Sequence, residues 1–248
     1  MENKINITWA VTVKDELKEL ATLLNFLQLH VREDDQILVQ YDTQGVTPEV
    51  TEYLELMDTI HENHTIIGFP LNKDFASFKN NLKSHSNGSY IVQCDADEML
   101  SEFFMENIHD VLEKNPVDLV FVPRINTVNG LTEQHVKQWG WDISKLESQI
   151  GEMEIDTESE EYKYLKKLGY IIEEVNSKIK YYKPIINFCD YQTRIYKNTP
   201  EITWMGKVHE KITGYNNFSN FPAQDEWCII HDKTIEKQET QNAFYETI

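Results

Sequence analysis

Three carboxylates fall within four residues at Asp95-Ala96-Asp97-Glu98, directly after the apolar run Tyr90-Ile91-Val92-Gln93-Cys94. Gly88, with Asn87 before it, supplies the turn that opens the run. A short apolar run of this kind reads as a buried strand of a parallel sheet, and open α/β sheets bind their ligands at the carboxyl ends of strands. Asp95 and Asp97 flank one residue, so a kinked backbone there aims both at a single divalent cation. Mg2+ and Mn2+ prefer oxygen ligands and keep open positions for substrate phosphates. The competing reading is a solvated acidic turn capping a helix that begins near Ser101.

The elements that must position these groups are legible as a pattern. Ile5 to Val13, rich in β-branched residues, predicts a first strand. A helix capped by Asp15 follows, with Leu17, Leu20, Ala21, Leu24 and Leu27 at helical spacing. Gln36 to Tyr41 predicts a second strand with Asp42 at its end. Pro48 to Ile60 predicts a helix with proline in its first turn. Thr65 to Phe69, Tyr90 to Cys94 and Val117 to Val122 predict further strands, with a helix over Phe75 to Ser84 between the first two. Strands alternating with helices at this spacing predict an α/β fold with a mostly parallel central sheet and helices on both faces.

The pattern changes after Arg124. Residues 125–185 are acidic and irregular, with a near-continuous charge run at Glu152 to Glu161 and an amphipathic helix predicted over Tyr162 to Ile172. The region reads as a helical or irregular insertion over the sheet's open edge, or as a solvated helical hairpin without a chemical role. Strand-like segments return at Tyr191 to Tyr196 and Trp227 to Ile230, and Thr234 to Ile248 predicts a C-terminal helix. The expected organisation is one domain, with a ligand-binding half over 1–124, the insertion over 125–185 and a second half over 186–248.

Composition narrows the class. With 40% hydrophobic and 11% aromatic residues, the 248-residue chain is globular rather than disordered. A formal net charge of −19 argues against a broad polyanion-binding surface, so a nucleic-acid partner is disfavoured. Met1-Glu2-Asn3-Lys4 leads straight into a strand-like segment and reads as no secretory signal. No apolar run approaches the roughly 20 residues that span a bilayer. Cys94, Cys189 and Cys228 lack metal-site spacing and read as reduced core thiols of a cytoplasmic protein.

Several segments, in order, resemble the family 2 glycosyltransferases. Thr8 to Glu16 is similar to the family's opening strand and helix, and Asp42 stands where the family sets a carboxylate against uracil or ribose. Asp74-Phe75-Ala76-Ser77-Phe78-Lys79-Asn80-Asn81 is similar to its aromatic, small-residue and Arg-Asn segment, with Lys79 where arginine is usual. Asp95-Ala96-Asp97 matches its Asp-X-Asp motif. Tyr191 to Asn198, Trp204-Met205-Gly206-Lys207-Val208-His209-Glu210 and Ile229-Ile230-His231 resemble segments of one branch, including its Trp-X-Gly-X-Val-His-Glu motif.

The resemblance implies a GT-A fold and a metal-dependent, inverting transfer of a sugar from a nucleotide-diphosphate sugar, a UDP-sugar above all. The acceptor would be a hydroxyl on a glycan, lipid or protein. Thr12, Val13, Asp15, Asp42, Lys79, Asp95, Ala96, Arg194 and His209 would then line the donor. Asp97 would ligate Mn2+ or Mg2+ directly, with Asp95 on the ribose or the ion's water shell and His231 as a third ligand. Glu210 is the expected base, with Glu98 and then Asp225 or Glu226 in reserve. Lys79 and Arg194 would meet the diphosphate, or act only as surface ion-pair residues. Trp139 and Trp141 would stack on a sugar or form a satellite core. Two other classes stand beside this one: a sugar-phosphate nucleotidyltransferase, disfavoured because Val11 to Glu16 lacks a glycine-rich basic loop, and a non-catalytic carbohydrate-binding protein.

Overall fold

The computed structural model describes residues 4–61, 64–154 and 156–245. The chain forms two compact units, residues 1–123 with 191–229 and residues 124–190 with 230–248. In chain order the first stretch holds β1 (Ile7–Val13), α1 (Leu17–His30), β2 (Gln36–Asp42), α2 (Pro48–Ile60), β3 (His64–Phe69) and α3 (Phe75–Ser84). β4 (Tyr90–Asp95), β5 (Glu98–Met99), α4 (Glu102–Lys114) and β6 (Leu119–Asn129) follow, and β6 carries the chain into the second unit.

The second unit contains α5 (Glu133–Trp139), β7 (Ile143–Ser144), β8 (Gly151–Glu154), α6 (Glu160–Lys167), β9 (Ile171–Val175), β10 (Lys178–Tyr182) and β11 (Ile185–Ile186). β12 (Asp190–Lys197) returns to the first unit, followed by β13 (Thr203–Met205), β14 (Lys211–Thr213) and β15 (Phe218–Asn220). β16 (Ile229–Thr234) and α7 (Ile235–Tyr245) end the described chain in the second unit.

In the first unit the strands lie in the order β3-β2-β1-β4-β12-β6, with β15 beside β6. β3, β2, β1 and β4 are mutually parallel, and β12 runs antiparallel to β4. The chain steps outward from β1 through β2 to β3, then returns to place β4 on the other side of β1. Such a reversal leaves a crevice beyond the carboxyl ends of β1 and β4, the position where open α/β sheets take ligands. Thr12 and Asp95 are register partners there.

Period-two alternation gives the sheet two apolar faces. Trp9, Val11, Ile37, Val39, Val92 and Cys94 pack with Leu20, Leu23, Leu24 and Leu27 of α1, Val50 and Leu54 of α2, and Phe104, Ile108 and Leu112 of α4. Ala10, Leu38 and Ile91 turn the other way, onto Ala76 and Leu82 of α3 and Trp204 and Ile212 of the β13–β14 hairpin. Each fully buried aliphatic side chain contributes about 1.5–3 kcal/mol of transfer free energy, enough for these faces to fix which helices cover which side.

Several expectations need correction. Asp15 does not cap α1: the N-cap position is Glu16, whose carboxylate accepts from the backbone N–H groups of Lys14 (3.0 Å) and Asp15 (3.1 Å). β6 does not stop at Pro123 but runs on to Asn129. The segment expected as a strand from Trp227 opens instead with a 3-10 turn at Asp225–Trp227, and the strand starts at Ile229. The C-terminal helix begins at Ile235, and its expected last residues, 246–248, lie outside the described residues, as do Met1 to Asn3.

The insertion, expected to be helical or irregular, holds helices and also regular strands. α6 is capped by Ser159 and ends at Lys167, with Gly169 at φ 81° closing it, so Ile171 and Ile172 enter a strand rather than a helix. β8, β10 and β9 form an antiparallel three-stranded sheet. β9 and β10 are joined by Asn176-Ser177, both at positive φ, the left-handed pair a two-residue hairpin needs. Val128, Leu131 and Ile186 form the unit's small core with Val136, Trp141 and Ile143 packed against it. Of the three cysteines, Cys94 and Cys228 are buried as expected, but Cys189 is exposed and is not a core thiol.

Candidate functional site

Register places the first cluster. Thr12 at the end of β1 donates its hydroxyl to Asp95 Oδ1 at 2.7 Å, and its carbonyl accepts from Ala96 N–H at 2.9 Å, which fastens the turn after β4. Arg194, on antiparallel β12, donates from Nη2 to Asp95 Oδ2 (2.8 Å) and to Glu98 Oε1 (2.5 Å). Glu98 Oε2 accepts from Asp95 N–H at 3.1 Å. The Glu98 side chain is fully buried and that of Arg194 nearly so. Glu98, the reserve candidate for a base, is therefore committed through both oxygens.

Burial alone pushes the Asp95 carboxyl up, but the Arg194 guanidinium, the Lys79 ammonium and the hydrogen bonds from Thr12 and Arg194 outweigh it. The group is held well below the usual carboxylate range. The same two carboxylates push the Arg194 guanidinium up against its own desolvation. Burial, with the neighbouring Glu98 charge, pushes the Cys94 thiol up, so it stays an unreactive filler of the strand.

The second cluster is built by α3 and the β13–β14 hairpin. Asp74 caps α3 by accepting from Ser77 N–H at 2.9 Å. Asn80 then uses its amide twice on the hairpin backbone: it donates to the Trp204 carbonyl and accepts from Trp204 N–H, each at 2.9 Å. The Trp204 indole donates to Tyr196 Oη at 3.2 Å. With the hairpin fixed on the helix, the Lys79 ammonium lies 4.3 Å from the Trp204 ring centroid and 2.5 Å from Glu210 Oε1. Gly206 at φ 96° makes the turn that brings the loop back to Glu210, and His209 also adopts positive φ on the exposed loop. Trp204 is thus a core residue that carries the loop, and Glu210 is the half-buried group it presents.

The remaining expected residues are divided between the two units. Val13 is buried at the end of β1, and Asp15 is exposed just beyond it. Asp42 is buried, and its Oδ1 accepts from Gln44 N–H (3.1 Å) and Leu71 N–H (3.0 Å). Asp97 is half-buried in the turn between β4 and β5. Asp225 and Glu226 lie in the 3-10 turn, where the Glu226 carbonyl accepts from Ser101 Oγ at 2.6 Å. In the second unit, Asn126 donates to Asp190 (2.7 Å), so its carbonyl oxygen faces His231 Nδ1 (2.9 Å). The Asp190 carboxylate can only accept, so this orientation puts the proton on His231 Nδ1. Trp139 stacks on His135, and Trp141 packs on the small core.

Among the described residues, no three His, Cys, Asp or Glu side chains gather as a ligand set. Mg2+ is commonly held by one or two carboxylates together with substrate phosphates and waters. A single carboxylate in the turn after β4 meets that requirement, so the donor set fits such an ion.

No protein-family model matches the chain, and neither does any curated protein sequence. Solved structures do. S. aureus TarS 1-349 in complex with UDP-GlcNAc superposes with a TM-score of 0.55 at 13% identity, over 93% of this chain and 58% of that one. The same fragment in complex with UDP gives 0.55 at 12% identity, over 92% and 60%. A further structure of it gives 0.53 at 11% identity, over 92% and 60%. The fold is of the GT-A type. The chain spans about 60% of the TarS fragment's length.

In this GT-A fold, three working residues were not picked out from the sequence: Asn80 as the clamp on the hairpin, Tyr196 as acceptor for Trp204, and Gln93, which accepts from Tyr196 Oη at 3.4 Å. Asn80 had a signal, because it directly follows Lys79 in the resembling segment. Among the described residues, no helix is long and apolar enough to cross a membrane.

Proposed function

We propose that this protein is a glycosyltransferase that moves a sugar, with inversion, from a nucleotide-diphosphate donor to a hydroxyl acceptor. The observation that carries the reading is the Asp95–Asp97 turn at the crevice between β1 and β4, ringed by Arg194 and Lys79, in a fold of the GT-A type. The likeness to TarS structures holding UDP and UDP-GlcNAc supports a UDP-sugar as donor.

In the reaction the acceptor oxygen forms a bond to the anomeric carbon as that carbon's bond to phosphate breaks. The electron pair leaves with the nucleoside diphosphate, and the acceptor's proton goes to Glu210. A carboxylate in this partly apolar loop is a suitable base, and general-base assistance contributes about 10²- to 10⁴-fold. Asp97 would hold Mn2+ or Mg2+ together with the donor's phosphate oxygens, and the ion supplies Lewis-acid neutralisation of the departing charge. Thr12 and Arg194 keep Asp95 fixed, so the turn bearing Asp97 is set before the donor arrives. Lys79 supplies positive charge to the diphosphate.

A thermal-shift screen of nucleotide-sugars with Mn2+ tests the reading. A donor at a hundred times its Kd stabilises the fold by about 2.7 kcal/mol. The reading requires at least one nucleotide-diphosphate sugar to raise Tm, and a flat screen contradicts it.

A further inference from the structure

Lys79 has two claims on it. In this structure its ammonium pairs with Glu210 at 2.5 Å, with both side chains largely buried (11% and 15% exposed). In the proposed reaction the same ammonium is needed by the diphosphate and the same carboxylate is needed as base. Resting on that reaction, we propose that Lys79 is a donor-operated latch. Without donor it holds Glu210 in an ion pair, and a bound diphosphate draws it off and leaves the carboxylate open to the acceptor's proton.

Two observations support the exchange. First, the two cations of the site differ in freedom. Arg194 is a planar fork held by Asp95 and Glu98 and only 4% exposed, so a diphosphate gains little from it without dismantling the turn. Lys79 bears a compact charge on a flexible stem, anchored by one carboxylate and the face of Trp204. Second, Arg194 and Lys79 face three carboxylates, Asp95, Glu98 and Glu210, in this cluster. A diphosphate adds further negative charge, and repulsion between it and Glu210 falls if Lys79 moves onto the phosphates. The latch also sets an order: donor binds first, and the base becomes competent only afterwards.

The test is a double-mutant cycle on UDP binding, measured by calorimetry with Mn2+ in wild type, Glu210→Gln, Lys79→Met and the double variant. The latch requires Glu210→Gln to tighten UDP binding about tenfold, because Lys79 no longer has to be taken from a carboxylate. That gain must vanish in the Lys79→Met background. An equal gain in both backgrounds means simple relief of repulsion and overturns the latch, as does no gain in either, while the donor reading stands. Failure of wild type to bind UDP removes the UDP-sugar reading and the latch with it. If Lys79→Met does not fold, Lys79→Gln takes its place. A structure of the wild-type UDP complex is a check without variants: Nζ moved onto a phosphate oxygen supports the exchange, and Nζ still on Glu210 overturns it.

Discussion

Arg194 Nη2 lies 2.8 Å from Asp95 Oδ2, and the pair joins two strands that run in opposite directions. The contact turns a run of acidic residues at a strand end into a fixed structural feature. It also divides the labour among the carboxylates. Asp95 and Glu98 are held by Arg194, whereas Asp97 lies in the intervening turn and Glu210 on the separate β13–β14 hairpin.

Arg194→Met therefore leaves the buried Glu98 carboxylate and its neighbour Asp95 without their cation. Breaking a buried pair from one side costs about 3–5 kcal/mol. Chemical denaturation should show a loss of that order; a loss below about 1 kcal/mol would mean that the turn is held in place by other contacts.

Gly88 should tolerate no side chain. A Cβ there would stand 2.4 Å from Thr8 N and 2.7 Å from Ile7 C, both backbone atoms of the sheet. Gly88→Ala should cost about 1–3 kcal/mol by forcing β1 and β4 apart. An unchanged denaturation midpoint would show that the strands have room to give.

How far this architecture was legible depends on what each stretch reports. The parallel half was legible because its strands are buried on both faces, so Ile37 to Val39 and Ile91 to Val92 form plain apolar runs, and Pro48 and Ser101 mark the starts of two of the helices. β9 and β10 were hidden because charged residues alternate with few apolar ones: Glu173 stands opposite Lys180, and Glu174 opposite the buried Ile179, which dilutes the apolar signal. The signal that remained was Asn176-Ser177 between two alternating runs. At the site, residue types at the end of β4 pointed to Asp95 and Asp97, and the resemblance of the Trp204 to Glu210 segment to a family motif pointed to Glu210. Spacing could not show that Lys79 would meet Glu210, because that pairing bridges 131 positions and depends on Asn80 clamping Trp204.

His64 makes stability depend on pH in a stated direction. Burial, and then the charge of nearby His61, depress its pKa from 6.5 to about 4, while Nε2 stays within 2.9 Å of Gln28 Oε1. The folded form keeps the ring neutral while the unfolded chain takes up a proton below its ordinary value. Stability should fall as pH drops from about 6.5 toward 4, by up to about 1.4 kcal/mol per pH unit from this group, and the slope should end once the folded form also protonates. His64→Gln should flatten that window in denaturation series; an unaltered slope would assign the dependence elsewhere.

Glu210→Gln keeps the size of the side chain and removes its basicity. Transfer to the acceptor should fall by about 10²-fold or more, with UDP binding no weaker than in wild type. Near-normal turnover would move the role of base to another carboxylate, Asp225 being the next candidate.

The proposed function rests on a nucleotide-diphosphate donor binding over the turn after β4 with help from Asp97. Calorimetric titration of UDP-GlcNAc with and without Mn2+, into wild type and Asp97→Ala, measures this most directly. The account predicts Mn2+-dependent binding to wild type and its loss in Asp97→Ala, with cooperative unfolding of the variant preserved. Equal affinity in the two proteins, or no binding of UDP-GlcNAc or any other UDP-sugar to wild type, would contradict it.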